Sequence, residues 1–427
     1  VKVWVVKIGE PLPTDEDAAR LNRAGLLADA LVARGHEVTW WASDFDHARK
    51  VRRPSSRRVE ALSDRYRIVQ LHGRPYRRNV SPLRLHNHRQ VALDFRHEVR
   101  NAPVPDVIVT AYPTINLSLE SVRYAQAHAV PVVVDVRDLW PDIFLDLLPR
   151  ALRRPGRAAI AGMFRKKRKV FAGADAILGT SEAFVQWGLD AAGRARGPLD
   201  RAFAHGYPRP ALSADSRQAA ERFWHQQFSG PIPARVICFF GNFADHVLDL
   251  ATPIAAARAL AAAGDQVHFV FCGAGPSLER MRALAADVPR TYFPGRVGQA
   301  EIGVLMAKAS AGLLPYTPRW DFESTIPNKV IEYLSGGLPV LSCLNGESHR
   351  LLADGGCGVF YTPGDAEGLA RHVRALLQDE AGRARMSRQA TALFAGGFDA
   401  AHVYHEYARH IEAVAATRVA PHVSATA

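Results

Sequence analysis

The run Pro327-Asn-Lys-Val-Ile-Glu-Tyr-Leu-Ser-Gly-Gly-Leu-Pro-Val-Leu gathers the residue types that can hold a nucleoside diphosphate. Pro327 suits the first turn of a helix, and Gly336-Gly337 ends that helix ahead of an apolar strand. A helix that opens beneath a loop offers N–H groups and the positive end of its dipole to phosphate oxygens, and Lys329 adds a mobile counter-charge beside Asn328. Glu332, one turn deeper, is a carboxylate able to accept two hydrogen bonds from a ribose diol. The same residues also suit an ordinary surface helix, so this segment alone leaves both readings open.

Other candidates are weaker. Gly9-Glu10 closes the first apolar run, where a glycine lets the backbone approach a ligand closely, and Arg20 and Arg23 follow on the next helical stretch. Arg137-Asp138 closes VPVVVDVRDLWPD and reads either as a substrate contact or as an Arg-Asp pair holding the turn. Asp44-Phe45-Asp46 imitates a metal-binding DxD, yet it runs into His47, Arg49 and Lys50 and reads better as a helix start or loop. His86-Asn87-His88 and the trio His402, His405 and His410 lack suitable carboxylate spacing, and Arg409 stands where a zincin needs its second histidine. No metal site is therefore expected. The GAGP turn at Gly273 lacks the third glycine of a dinucleotide fingerprint.

The elements that must position these residues alternate. VKVWVVKI, HEVTWWAS, DVIVTA, VPVVVDV and ADAILGTS are short apolar strands with helical stretches between them, including LNRAGLLADALVARG with Gly35 as its stop. Such strands predict a parallel sheet covered on both faces, a doubly wound α/β domain over residues 1–205. Residues 206–233 are rich in Pro, Gly and polar residues and read as a linker. The alternation restarts at ARVICFFG and continues through QVHFVFCG, RTYFPG, AGLLPY and LPVLSC, giving a second domain over 234–396. Ligands of such sheets bind beyond the carboxyl ends of the strands, so a cleft between the two domains is the expected site. Residues 397–427 form an amphipathic helix packing back towards the first domain, followed by the tail PHVSATA.

Composition narrows the partners. The 427 residues are 48% hydrophobic and 22% charged, which excludes disorder as the main state. No uncharged apolar run approaches the roughly 18 residues a spanning helix needs, and the chain opens into a strand without a secretory leader, so a cytoplasmic location is expected. Its four cysteines lack CxxC spacing and read as buried hydrophobes in a reducing compartment. The net charge of +12 is concentrated: residues 49–100 hold fifteen Lys/Arg against four acids, and residues 150–169 hold nine with none. Two positive patches on an otherwise acidic chain attract polyanions. In IAGMFRKKRKVF an apolar stripe faces away from Arg165, Lys166, Arg168 and Lys169, so that helix either lies on an anionic leaflet or packs on the sheet with its charges solvated. The Arg-rich stretch with His72 and His88 could touch lipid phosphates in the same way.

The ordered set RGHEVTWWASDFDH, PVVVDVRDLWPD, ILGTSEAF, FFGN, FVFCGAGP, FPGRV and PNKVIEYLSGGLPVL resembles family 4 glycosyltransferases, in particular the branch that builds bacterial surface polysaccharides such as lipopolysaccharide. The resemblance covers nearly the whole chain. It implies the GT-B fold, two doubly wound Rossmann-like domains facing across a cleft, and a retaining hexosyl or hexosaminyl transfer from a UDP- or GDP-sugar that requires no metal. It implies that Glu332 is the second of two glutamates spaced eight apart and holds the ribose; the first falls at Ser324, with Glu323 beside it. Family members often carry Arg and Lys after the glycine that opens the second domain, whereas here Gly241-Asn242 shifts the diphosphate to Lys329, helped by Arg319. Gly295, Arg296 and Val297 of FPGRV fall where relatives grip the base edge, and Arg137-Asp138 falls where many carry a catalytic-site histidine. The first domain, through Gly9, Glu10, Arg20, His72 and His88, is then expected to take a polyprenyl-diphosphate-linked glycan at the cytoplasmic face of the inner membrane.

Two rival readings follow from the same features. A non-hydrolysing sugar-nucleotide epimerase shares the two-domain fold and would convert its substrate without an acceptor. A nucleic-acid-binding protein would use the basic patches, but the aromatics are not interleaved with the charges as stacking platforms require.

Overall fold

The computed structural model describes residues 1–15, 20–53, 58–79, 81–146, 148–209, 211–244 and 247–418. The tail PHVSATA lies outside them. The chain divides into two compact units, one formed by Val1–Ala204 with the stretch from Ala401 and the other by His205–Ala400.

Among the described residues the first unit is built on β1 (Lys2–Val6), β2 (Glu37–Ser43), β3 (Val59–Ser63), β4 (Tyr66–Leu71), β5 (Val107–Tyr112), β6 (Val132–Val136), β7 (Ala176–Gly179) and β8 (Arg201–Ala202). They lie in the order β8-β7-β6-β5-β1-β2-β4-β3. All pair in parallel except β3, which runs antiparallel to β4. Val3 stands opposite both Val38 and Val107, so the centre of the sheet is a row of β-branched side chains buried on both faces. Strand order reverses between β1 and β5, the kind of point at which open α/β sheets bind ligands.

Helices α1 (Arg23–Ala33), α2 (Pro82–Glu98), α3 (Ile115–Ala127), α4 (Ala161–Ala172) and α5 (Glu182–Ala192) connect these strands. Gly35, just past α1, takes φ +87°, the left-handed conformation that stops a helix at low cost. Trp4 anchors the core beneath α2 and α3, meeting Trp41 edge-on at 5.0 Å and Tyr124 at 4.9 Å. The stripe of α4 packs inward: Val170 and Phe171 join this core, and Lys167 is buried in an ion pair with Asp142 at 2.7 Å. Of the two roles open to that stripe, it takes the core one, and Arg165, Lys166, Arg168 and Lys169 remain exposed.

The second unit has β9 (Val236–Asn242), β10 (His268–Ala274), β11 (Thr291–Gly295), β12 (Ala311–Leu314), β13 (Val340–Ser342) and β14 (Gly358–Phe360), all parallel in the order β11-β10-β9-β12-β13-β14. This is the doubly wound order of a Rossmann sheet, reversing between β9 and β12. Phe239, Phe243, Phe269 and Phe271 fill its core. Within 206–233, read from sequence as a linker, Ala214–Phe228 is a helix, α6, capped by Ser213. Trp224 is fully buried, and its indole Nε1 donates at 2.8 Å to the backbone carbonyl oxygen of Glu301 in α7 (Gln299–Met306). The polar residues that suggested a linker are the solvent face of this helix.

The nucleotide-type segment forms α8 (Asn328–Ser335), and the last helix is α9 (Ala400–Ala415). Helix α9 is tied to the first unit: Tyr407 stacks on Phe203 at 4.8 Å, and Glu412 accepts from Arg34 and His36, each at 2.6 Å.

Candidate functional site

In the second unit, α8 opens directly after Pro327, which sits at the N-cap and offers no side-chain acceptor to the first turn. Lys329 folds back from that turn across the end of β9. A Cβ added to Gly241 would lie 2.7 Å from Lys329 Cε and 3.0 Å from Nζ, so the lysine occupies space that only a glycine leaves. Its ammonium stands over the rings of Phe239 at 5.6 Å and Tyr316 at 5.8 Å. A cavity of about 240 Å³ adjoins this point, lined by Gly241, Asn242, Gly273, Arg296, Val297 and Ile302. Gly295, at φ +83°, turns the chain so that Arg296 and Val297 reach it. Four residues expected at the donor site are thus brought to one cavity, with Lys329 at its Gly241 edge.

Glu332 lies one turn further along α8, half-buried, and its Oε1 accepts from the Tyr207 hydroxyl at 3.0 Å. Tyr207 stands in the stretch read as a linker, and nothing in its local sequence pointed to the site. Glu323 ends a short helix, Trp320–Glu323, and Ser324 is its C-cap. Arg319 differs from the expectation that it helps hold a diphosphate: its guanidinium makes a bidentate pair with Asp321 at 3.0 and 2.7 Å, so its charge is already compensated.

In the first unit, a cavity of about 220 Å³ opens at the carboxyl ends of the strands where their order reverses. Gly9, His88, Arg137 and Asp138 line it, as do Lys7, His47, Tyr76 and Arg84, which sequence reading missed. Lys7 carried a signal, a cation at the end of an apolar strand; Arg84 did not. A larger cavity, about 520 Å³, sits at the opposite, amino ends of β1 and β2 beside Lys2 and Glu37. It gathers none of the candidate residues.

Behind the smaller cavity runs a buried ionic chain. Asp135, wholly buried in β6, accepts from Arg23 at 2.9 and 3.1 Å and from Arg137 Nε at 2.9 Å. Arg137 also donates to Glu10, whose other oxygen accepts from the Ala24 amide at 2.9 Å. The two guanidiniums hold the Asp135 carboxyl well below the ordinary range against the opposing effect of burial, and Asp135 in turn raises both arginines. The Arg-Asp pair expected at 137–138 is therefore corrected. Residues i and i+2 of a strand share a face, so Arg137 pairs with Asp135, while Asp138 accepts from the Leu139 amide and the Trp140 indole.

Three expected acceptor residues lie off this cavity. Glu10 is turned inward to Arg137; Arg20 precedes α1 rather than lying on it; and His72 is exposed, paired with Asp44 at 2.9 Å. The helix start or loop expected at Asp44-Phe45-Asp46 is corrected: Phe45–Asp46 is a short strand antiparallel to Val51–Arg52, and the Asp46 carboxylate accepts from the Ala48 and Arg49 amides in the turn between them. Burial and the charges of Lys50 and Arg84 lower His47 to about 4, and burial with Arg84 and Lys7 lowers His88 to about 3, so both are neutral near pH 7. Among the described residues no group of three or more His, Cys, Asp or Glu is arranged to hold a metal ion, and no helix is long and apolar enough to cross a membrane.

Comparison with known proteins adds family and fold. Residues 22–225 match the glycosyl transferase 4-like domain, and residues 234–379 match glycosyl transferases group 1. No curated protein matches the chain by sequence. Among solved structures, sucrose-phosphate synthase from Thermosynechococcus elongatus superposes with a TM-score of 0.73 at 15% identity, covering 97% of this chain and 99% of that one. HepE of Anabaena, in complex with UDP-glucose, gives 0.63 at 16% identity over 96% and 99%. WaaG, a glycosyltransferase involved in lipopolysaccharide biosynthesis, gives 0.61 at 14% identity over 96% and 99%. These likenesses assign the fold as GT-B, with two Rossmann-like α/β domains.

Proposed function

We propose, from the premise that the chain is a glycosyltransferase of the GT4 type, that it moves a hexosyl or hexosaminyl group from a UDP- or GDP-sugar to a lipid-linked glycan with retention of configuration. The observation that carries the reading is Lys329 lying over Gly241 at the uncapped start of α8, with Glu332 one turn on. In this reading the diphosphate lies against Lys329 and the first-turn amides, Glu332 receives the ribose hydroxyls, and Arg296 and Val297 border the base. HepE, solved with UDP-glucose, supports the donor class.

The reaction is a front-side displacement. The bond from the anomeric carbon to the diphosphate oxygen breaks as the acceptor hydroxyl attacks on the same face, the new glycosidic bond forms there, and the hydroxyl proton passes to the departing diphosphate. No protein nucleophile takes part. Lys329 and the helix amino end stabilise the charge that develops on the leaving group, work that does not call for a metal ion. Glu323 and Ser324 border the donor sugar in this reading, and Arg137, held by Asp135 and Glu10, faces the acceptor.

The acceptor is read as a polyprenyl-diphosphate-linked glycan of surface-polysaccharide synthesis, met at the cytoplasmic face of the inner membrane. Supporting this, Arg150, Arg153, Arg154 and Arg157 are exposed around an exposed Leu152, a combination that attracts anionic headgroups. The likeness to WaaG is in keeping with it.

The test is thermal stabilisation against UDP-, GDP-, ADP- and CMP-sugars, since a ligand that binds only the native state raises the melting point by mass action. One UDP- or GDP-sugar should stabilise the protein, and the bound donor should lose its sugar to a lipid-linked acceptor. Stabilisation by none of the panel would contradict the reading, and conversion of donor alone into an isomer would make the protein an epimerase.

A further inference from the structure

The cavity of the first unit carries more positive charge than its neighbours compensate. Arg137 on its wall is balanced by Asp135 and Glu10, and Asp138 is engaged by the Leu139 amide and the Trp140 indole. Lys7 and Arg84 are different. Among the described residues the Lys7 ammonium has no carboxylate within ion-pair distance and no hydrogen-bond partner, although burial works against its charge and lowers its pKa. The Arg84 guanidinium is held over the Trp140 ring at 4.7 Å, and one Nη donates to the Asn79 carbonyl at 2.8 Å. Its Nε is shielded from solvent and has no partner among the described residues. A buried donor left unpaired on a guanidinium so held, beside an uncompensated lysine, is an arrangement completed by an oxyanion. The two histidines there are neutral, so the two cations stand against the single carboxylate of Asp138 and leave the cavity net positive.

Resting on the reading of this unit as the acceptor domain, we infer that the cavity binds a phosphoryl group of the acceptor, with Lys7 and the Nε edge of Arg84 as its ligands and His88 alongside. The volume of about 220 Å³ is below the roughly 300 Å³ at which pockets begin to enclose whole drug-sized ligands, so a phosphoryl group with its adjoining sugar is what fits, the rest of the acceptor lying outside. The phosphoryl group has two possible sources, a soluble sugar phosphate or the diphosphate of a lipid carrier.

Calorimetric titration of the full chain, with the donor-type site saturated by the nucleoside diphosphate that the thermal panel selects, tests this. The probes are glucose 6-phosphate, a short-chain polyprenyl diphosphate in detergent below its micelle concentration, and glucose. At least one phosphorylated probe should bind and glucose should not. Lys7→Gln and Arg84→Gln should each weaken that binding by roughly tenfold or more, while nucleotide binding is unchanged; Arg84→Lys, which keeps the charge without the fork, should also weaken it. Binding should fall as pH rises through the depressed Lys7 range, and the identity of the tighter probe assigns the source. Failure of both phosphorylated probes, or equal binding by wild type and both Gln variants, overturns the inference. Nucleotide binding reports the variants' folding, and its absence in the wild type would instead overturn the glycosyltransferase reading.

Discussion

Lys329 reaches across Gly241 so closely that a methyl group on that glycine would stand 2.7 Å from its Cε. Gly241→Ala should therefore displace the ammonium, and because the same methyl meets Phe239 at 2.6 Å it should also destabilise the fold by about 1–3 kcal/mol. Affinity for the nucleoside diphosphate should fall. In a Lys329→Ala background the same substitution should cost little further affinity, because the group it displaces is already gone. A double-mutant cycle read by calorimetry checks this, and full additivity would separate the two residues.

Tyr207 donates to Glu332 at 3.0 Å, a hydrogen bond to a charged group worth about 1.5–3 kcal/mol where it is made. Tyr207→Phe should weaken nucleotide binding by roughly tenfold, the factor corresponding to about 1.4 kcal/mol, with a much smaller change for ligands that lack the ribose. Titration with nucleoside diphosphate and with pyrophosphate separates these outcomes.

Asp135 balances two buried guanidiniums. Asp135→Asn leaves Arg23 without its anion and Arg137 with Glu10 alone, and should destabilise the first unit by about 3–5 kcal/mol, measured by chemical denaturation. A loss under about 1 kcal/mol would mean that the arginines find other partners.

Glu412, held by Arg34 and His36, has its pKa lowered from 4.5 to about 2, chiefly by the Arg34 hydrogen bond. A carboxyl with a lower pKa when folded contributes stability that is present above its unfolded value and is lost as pH falls from about 4.5 towards 2. Glu412→Gln should flatten that acid limb in a pH series of thermal melts, without altering stability differences between variants at higher pH.

Much of this was legible in the chain. Continuous apolar runs such as VVVDV mark strands buried on both faces, and the Pro327 to Gly337 stretch carries its own start, charge and stop. What escaped depends on contacts between residues far apart in sequence. Lys7 and Arg84 are separated by 76 intervening residues and meet only because the end of β1 and the start of α2 converge at the carboxyl ends of the strands. Tyr207 and Trp224 were hidden in a stretch whose polar face outweighed its few buried residues. Asp135 did leave a signal, an acid inside an apolar strand, since such a group persists only where cations meet it. Its pairing with Arg137 rather than the 137–138 pair follows from strand periodicity.

The central claim is that the diphosphate is held by Lys329 at the start of α8. Its most direct test compares the affinity of a nucleoside diphosphate with that of the bare nucleoside, in wild type and in Lys329→Ala, with melting temperatures measured alongside. The wild type should prefer the diphosphate by roughly two orders of magnitude, about 2.7 kcal/mol, and Lys329→Ala should lose most of that preference at an unchanged melting temperature. A preference that survives intact in Lys329→Ala would contradict the account.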